Sequence, residues 1–379
     1  MNGKRIALLG GGQLGRMFLE NALRYDVEVH VLDPDPACPC ATLAHRFSQG
    51  RFDDHDTVVA FARDADVVGI EIEHVSVSAL EELKRQGKTV IPDPQVLRTI
   101  KDKGLQKAFY QEHGIPTADF ALIEQKDEIA MHAALLPAFL KTRTGGYDGK
   151  GVMPVTGMAD IANAFDGPCV LERRADIALE LAVLVARSAD GAEVVYDPVE
   201  MVFDPRFNLV DHLRAPARIA ERVAREACVL ALRVAEAFAA PGLYAVELFL
   251  TPHGTLLVNE TAPRAHNSGH HSIEACASSQ FDQLLRIYMG WPLGDGALKG
   301  SAAMINLVGE GGTGRAQVQG LHALLQLPAT YLHLYGKKET RTGRKMGHVT
   351  VLAHNDVALD HAIAITRSSC KVVPAATSN

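Results

Sequence analysis

The chain has 379 residues, 47% of them hydrophobic and 22% charged, an ordinary composition for a folded protein of two or three domains at about 100–200 residues each. A net charge of −7 argues against a nucleic-acid surface, which depends on clustered Lys and Arg. No apolar run approaches the roughly 20 residues that cross a bilayer, and the chain opens on a strand pattern without a leader. We therefore expect a cytoplasmic protein with neither membrane nor nucleic-acid partners.

Residues 4–35 read as a βαβ unit. Arg5 to Leu9 is a short apolar strand, Gln13 to Tyr25 a helix, and Glu28 to Leu32 a second strand ending at Asp33. Val67–Ile72 and Thr89–Ile91 continue as strands, with Ser78–Gln86 a helix between them. This alternation predicts an open, mostly parallel α/β sheet with helices on both faces. One helix is expected from Leu97 to His113, ended by Gly114-Ile115-Pro116. An Ala-rich helix from Ile219 to Ala239 precedes two strands, Tyr244–Leu250 and Leu256–Val258, and the tail after Arg367 reads as frayed. The six cysteines, Cys38, Cys40, Cys169, Cys228, Cys276 and Cys370, form no C-x-x-C pair, which fits free thiols better than a disulfide framework.

Gly10-Gly11-Gly12-Gln13-Leu14-Gly15 matches G-x-G-x-x-G between a strand and a helix, with Asp33 where a ribose-binding acid of a dinucleotide fold would stand. An NAD-dependent oxidoreductase is one interpretation. The same turn equally serves any phosphate, or tight strand–helix packing.

Residues 139–151 place Lys141 on a strand before a loop with four glycines and a second lysine, Lys150. Such a loop can close over a polyphosphate through backbone N–H groups while lysines neutralise charge. No Walker A pattern is present. Glu172 ends a strand, and Glu180 lies among apolar residues, where a carboxylate needs a partner. Glu247 and Glu260, with Asn259, occupy two strands joined by the turn Thr251–Gly254 and could share one face. Together they suit Mg²⁺ bridging phosphates. Arg264, His266 and Asn267 follow as a cluster of donors for a small oxyanion. A zinc site on His266, His270 and His271 is an alternative. Lys337, Lys338, Arg341, Arg344 and Lys345 then form a basic cluster suited to a phosphate.

In order, Gly-Gly-Gly-Gln-Leu-Gly-Arg-Met, Glu71-Ile72-Glu73-His74, Gly-Gly-Tyr-Asp-Gly-Lys-Gly, Asn-Glu-Thr-Ala-Pro-Arg-Ala-His-Asn-Ser-Gly-His and Gly-Arg-Lys-Met-Gly-His resemble the 5-(carboxyamino)imidazole ribonucleotide synthetases. These are ATP-grasp enzymes of purine biosynthesis, and the resemblance covers residues 4–353. It implies an α/β ATP-grasp fold divided as follows: a Rossmann-like pre-ATP-grasp domain at 1–97, a linker helix and mobile lid at 98–175, a catalytic domain at 176–300, and a part completing that body at 301–379. It also implies a homodimer that uses ATP, Mg²⁺ and bicarbonate to carboxylate 5-aminoimidazole ribonucleotide through carboxyphosphate.

Position by position, the resemblance assigns ATP phosphates to Lys103 and Lys141, and lid closure to Gly146, Tyr147, Asp148, Gly149, Lys150, Gly151 and Val152. Adenine falls to the hinge Glu172, Arg173, Arg174 and Ala175, and the ribose hydroxyls to Glu180. Glu247 and Glu260 become the Mg²⁺ ligands, with Asn259 on the ATP side. Gln13, Leu14, Glu73, Tyr147 and Asp148 would contact the ribonucleotide, and Lys337, Arg344 and Lys345 its phosphate. Arg264, His266 and Asn267 would orient bicarbonate. The family's ATP-side His is missing from Tyr196–Asp204, where Asp204 falls near its position. The doubled Lys337-Lys338 leaves two candidates for the phosphate. Other ATP-grasp ligases and an inactive ATP-binding regulator are the competing interpretations.

Overall fold

The structure, a computed structural model, describes residues 3–146, 151–207 and 209–375. The first unit is a five-stranded parallel sheet of β1 (Ile6–Leu9), β2 (Val29–Asp33), β3 (Arg46–Gln49), β4 (Val67–Ile70) and β5 (Thr89–Ile91), in the order β3-β2-β1-β4-β5. Its strands are apolar and, β3 apart, almost wholly buried because helices cover both faces. On one face lies α1 (Gln13–Arg24). On the other lie α2 (His55–Phe61) and α3 (Val77–Arg85), capped by Asp54 and Ser76 side chains. Strand order reverses between β1 and β4, so the glycine turn and Glu71–His74 meet at the topological switch point, where open α/β sheets form their crevice.

The single helix expected from Leu97 to His113 is two: α4 (Pro94–Lys101) and α5 (Lys103–Glu112). Asp102 is extended at the break and caps α5, accepting from the N–H groups of Gly104 and Leu105, while Arg143 holds its carboxylate. An acid at the N-terminus of a helix is favoured by the dipole as well as by its hydrogen bonds. The break makes Lys103 the first residue of a new helix.

A four-stranded antiparallel sheet follows, β6 (Phe120–Ile123), β7 (Ala138–Thr142), β8 (Val152–Val155) and β9 (Cys169–Arg173), ordered β6-β9-β7-β8 around its own small core. The body is one nine-stranded antiparallel sheet. It comprises β10 (Leu179–Arg187), β11 (Glu193–Val195), β12 (Val199–Asp204), β13 (Leu209–Ala215), β14 (Gly242–Leu250), β15 (Leu256–Ala262), β16 (Ser301–Val308), β18 (Thr330–Leu334) and β20 (Lys345–Ala353). Helix α6 (Glu221–Phe238) packs on β10 and β14, and α10 (Asp356–Ser369) on β16 and β20. Between them run the short α7 (Ser272–Ala275) and α8 (Gln280–Met289), whose Phe281, Leu284, Leu285 and Tyr288 share a core with Phe18 of α1. The strands β17 (Gly314–Gln319), β19 (Glu339–Thr340) and β21 (Lys371–Pro374) form a small sheet, with α9 (Leu321–Leu325) beside it. The expected fraying after Arg367 is therefore corrected: β21 pairs with β17, and Cys370 and Val372 are buried against α10.

Candidate active site

The site lies where the first unit, the four-stranded sheet and the body converge. Its floor is built by β14 and β15. Their pairing runs regularly from Leu250 opposite Leu256 to Leu248 opposite Val258, then shifts so that Val246 faces Thr261. Glu247 thus opposes two residues, Asn259 and Glu260, a β-bulge that turns both toward the Glu247 side. On the other flank Ala182 of β10 pairs with Glu247, which puts Glu180 on that same face.

Charge reinforces this geometry. Burial first, then Glu260 and Glu180, pushes the Glu247 carboxyl up to about 8. Glu260 goes the opposite way, chiefly because Lys103 Nζ lies 3.1 Å from its Oε2. Glu180 is also raised by burial. Asn259 Nδ2 is 3.4 Å from Glu247. Crowded carboxylates of this kind fit a hard dication that takes one or two protein carboxylates and completes its shell with water and phosphate oxygens. Among the described residues no group of three or more His, Cys, Asp and Glu could hold a metal. The zinc alternative fares no better, since buried His270 presents its Nδ1 to Gln280, 2.9 Å away.

Glu172 is held by two lysines. Lys141 Nζ donates to Oε1 at 2.9 Å, and Lys107 Nζ forms an ion pair with Oε2 at 2.7 Å. Its carboxylate is thus a buried strut, and what residues 172–175 offer a ligand is chiefly backbone. Arg173 points to Asp119 and the Ala134 carbonyl, and the Arg174 N–H donates to Pro137. Ala175 follows at the start of the link to β10. The loop ends meet where Gly151 accepts from the Thr142 N–H; a Cβ there would come within 2.4 Å of Thr142 Oγ1 and 3.3 Å of Gly146 Cα. Val152 opens β8 beside Lys141. Tyr147, Asp148, Gly149 and Lys150 lie outside the described residues.

At the switch point the glycine turn is already occupied. Gly11 N–H donates to Asp33 at 2.7 Å and Leu14 N–H to Glu71 at 3.1 Å; a Cβ on Gly12 would strike Glu71 Oε1 at 2.5 Å. Asp33 is used inside the turn, so the dinucleotide interpretation loses both its phosphate donors and its ribose acid. Gln13 starts α1 just above. Cys38 and Cys40 pack beneath the turn, and burial raises both thiols, Cys38 to about 11.

Arg264 crosses from the body to the first unit, with Nη2 2.8 Å from the Glu73 carboxylate. Its buried Nε has no partner. His266 Nε2 lies 3.7 Å from Glu247. Asn267, expected in the same role, is turned away: its amide pairs reciprocally with Asn306 at 3.0 and 2.9 Å. In the basic segment Lys337 Nζ donates to the Lys345 carbonyl at 2.8 Å and lies over Tyr335, whereas Lys338 is exposed. Arg344 donates to the Glu339 carbonyl at 2.7 Å.

Sequence reasoning missed Lys107, Glu71, Gln280 and Arg16. The Arg16 guanidinium reaches Gly336, where a Cβ would stand 2.6 Å from Nη1. Its signal was present in the motif Gly-Gln-Leu-Gly-Arg-Met. For Lys107 and Gln280 no local signal existed, because their partners are distant in the chain.

Residues 3–101 match the ribonucleotide synthetase preATP-grasp domain, 108–281 the ATP-grasp domain, and 302–362 the phosphoribosylaminoimidazole carboxylase C-terminal domain. The chain is 36% identical to the chloroplastic phosphoribosylaminoimidazole carboxylase of Vigna aconitifolia, over 95% of this chain and 66% of that protein. It is also 36% identical to the N5-carboxyaminoimidazole ribonucleotide synthase of Brucella melitensis, over 92% of this chain and 96% of that one. The N5-carboxyaminoimidazole ribonucleotide synthetase structure from Thermotoga maritima superposes with a TM-score of 0.91 at 38% identity, covering 98% and 100% of the two chains. The Aspergillus clavatus N5-carboxyaminoimidazole synthase, solved with ADP and 5-aminoimidazole ribonucleotide, gives 0.89 at 33%, covering 97% and 98%.

Proposed function

As the chain belongs to the N5-carboxyaminoimidazole ribonucleotide synthetase family, we propose that it uses ATP and bicarbonate to carboxylate the amine of 5-aminoimidazole ribonucleotide, a step of purine biosynthesis. The observation that carries this function is the bulge-built face of Glu247, Asn259 and Glu260 opposite Lys103, a few residues from the Arg264–Glu73 bridge. Phosphate chemistry and the amine-bearing substrate thereby share one cleft.

A bicarbonate oxygen attacks the γ-phosphorus of ATP and ADP departs, leaving carboxyphosphate. The substrate amine then attacks the carboxyl carbon, or CO2 released from it, as phosphate leaves and the nitrogen loses a proton. Mg²⁺ would be held by Glu247 and Glu260 and would supply charge neutralisation across the transferring phosphate. Lys103 and Lys141 hold phosphate oxygens, with the backbone of Gly146, Gly151 and Val152 beside them. The backbone of Glu172 to Ala175 takes adenine, and Glu180 takes ribose. Arg264 and His266 fix the bicarbonate, and the partnerless Arg264 Nε supports an oxyanion there. Gln13, Leu14 and Glu73 contact the ribonucleotide, with Lys337, Arg344 and Lys345 on its phosphate. Lys337 is preferred to Lys338 because it turns inward.

In this scheme residues 1–97 bind the ribonucleotide side, 98–175 carry the lid, and 176–300 with 301–379 form the catalytic body. The sheet that runs unbroken from β10 to β20 supports joining the last two parts. A cytoplasmic homodimer belongs to the same proposal, with light scattering as its check. The reaction itself is tested with ¹³C-bicarbonate: a carbamate carbon resonance that grows only with ATP and the ribonucleotide is expected, and ATP turnover without it would reject the acceptor.

A further inference from the structure

We propose that Gln280 is a positioning residue that holds His266 in register over the Glu247–Glu260 face; this rests on the function proposed above. Gln280 is the first residue of α8 and is fully buried. Its Oε1 accepts from the His266 backbone N–H at 2.9 Å, and its Nε2 donates to the His266 carbonyl at 2.9 Å. The second Nε2 proton meets His270 Nδ1 at 2.9 Å. Both donors and the acceptor of the amide are therefore engaged, all on the loop that carries Arg264 and His266. The amide has one workable orientation, since flipping it would set its NH2 against the His266 N–H.

The clamp mimics a strand pairing for a single residue in a stretch with no ladder of its own. Its base is rigid. Helix α8 is anchored in the core shared with α1 through Phe281 and Tyr288, and the Gln280 N–H donates to Ser272 Oγ at 3.0 Å. Gly269 leaves room for it, because a Cβ there would lie 2.4 Å from Gln280 Oε1. Burying a complete amide to hold one backbone unit is costly unless every group is satisfied. What it secures is the imidazole whose Nε2 lies 3.7 Å from Glu247. A loop free to shift by about 1 Å would forfeit roughly a hundredfold in rate. It would also release activated bicarbonate to water before the amine captures it.

The test compares wild type with Gln280→Met, which keeps the volume and removes every side-chain hydrogen bond, and Gln280→Glu, which keeps the acceptor and removes the donors. Melting temperature, kcat, ribonucleotide KM and the ratio of ADP formed to ribonucleotide carboxylated are measured on each full-length protein. We expect kcat to fall about 100-fold in Gln280→Met with ribonucleotide KM within about threefold. The ADP-to-product ratio should rise well above the wild-type value in both variants. A merely structural role would lower the melting temperature and leave that ratio untouched. A folded variant with wild-type kcat and ratio overturns the inference, and if Gln280→Met fails to fold, Gln280→Glu decides by the same readouts. Wild type that forms no carboxylated ribonucleotide would instead refute the function itself.

Discussion

Arg264 and Glu73 come from different units of the fold, yet the Arg264 Nη2 lies 2.8 Å from the Glu73 carboxylate across the cleft. Each is assigned to a different substrate, the arginine to bicarbonate and the glutamate to the ribonucleotide. If those proposed roles hold, their pairing links the two binding events. Arg264→Ala should lower kcat/KM by about 10²–10³-fold, the scale of losing one oxyanion donor. With Glu73→Gln, a double-mutant cycle on kcat/KM should show a coupling of about 1–2 kcal/mol, and strict additivity would mean the pair is incidental.

The Glu247–Glu260 face carries a pH signature. Burial holds the Glu247 proton up to about 8, above the usual carboxylate range, so at pH 7 the metal-free site keeps it. Binding Mg²⁺ requires the ionised form. Titration with Mg²⁺ at pH 7 should therefore release protons, and affinity should rise with pH until about 8. The folded state of the metal-free protein holds a proton that the unfolded chain loses near pH 4.5. This group's contribution to stability thus declines from about pH 4.5 to 8. Glu247→Gln should abolish both the proton release and turnover, and proton release persisting in that variant would move the site elsewhere.

Phosphate recognition is predicted to fall on Arg344, Lys345 and the inward Lys337, leaving exposed Lys338 as a solvated charge. Arg344→Ala should raise the ribonucleotide KM about tenfold, equivalent to about 1.4 kcal/mol, with kcat little changed. Lys338→Ala should leave both constants as in wild type. A larger KM effect from Lys338 than from Lys337 would reverse the assignment.

Glu172 is 3% exposed and sits between Lys107 and Lys141. Replacing it with Gln leaves the buried Lys107 and the half-buried Lys141 without their nearest counter-charge. A loss of about 3–5 kcal/mol in denaturant unfolding is expected. A loss under about 1 kcal/mol would show that water already screens the triad.

Much of this architecture was legible in the sequence because it depends on local patterns. The strand–glycine–helix start and the hairpin with Glu247 and Glu260 rest on short-range periodicity and turn chemistry, whereas nothing local told Lys337 from Lys338. Two errors have physical causes. Helical periodicity runs straight through Asp102, and only its capping of Gly104 and Leu105 together with Arg143, just past the end of β7, breaks the helix. The tail after Arg367 lacks a strong pattern of its own, and β21 exists because β17 offers an edge. The hairpin predicted two facing acids, but not the bulge that brings Asn259 around as well. Asn267 shows the opposite limit, a residue in the right loop whose partner, Asn306, lies on another strand.

The proposed coupling of ATP hydrolysis to carboxylation of a ribonucleotide amine is read out by ADP release with ATP and Mg²⁺, adding bicarbonate and 5-aminoimidazole ribonucleotide separately and then together. Turnover that requires the ribonucleotide and consumes it in step with bicarbonate is expected. ADP release indifferent to the ribonucleotide, with none of it carboxylated, would overturn the reaction and leave only the ATP-grasp fold.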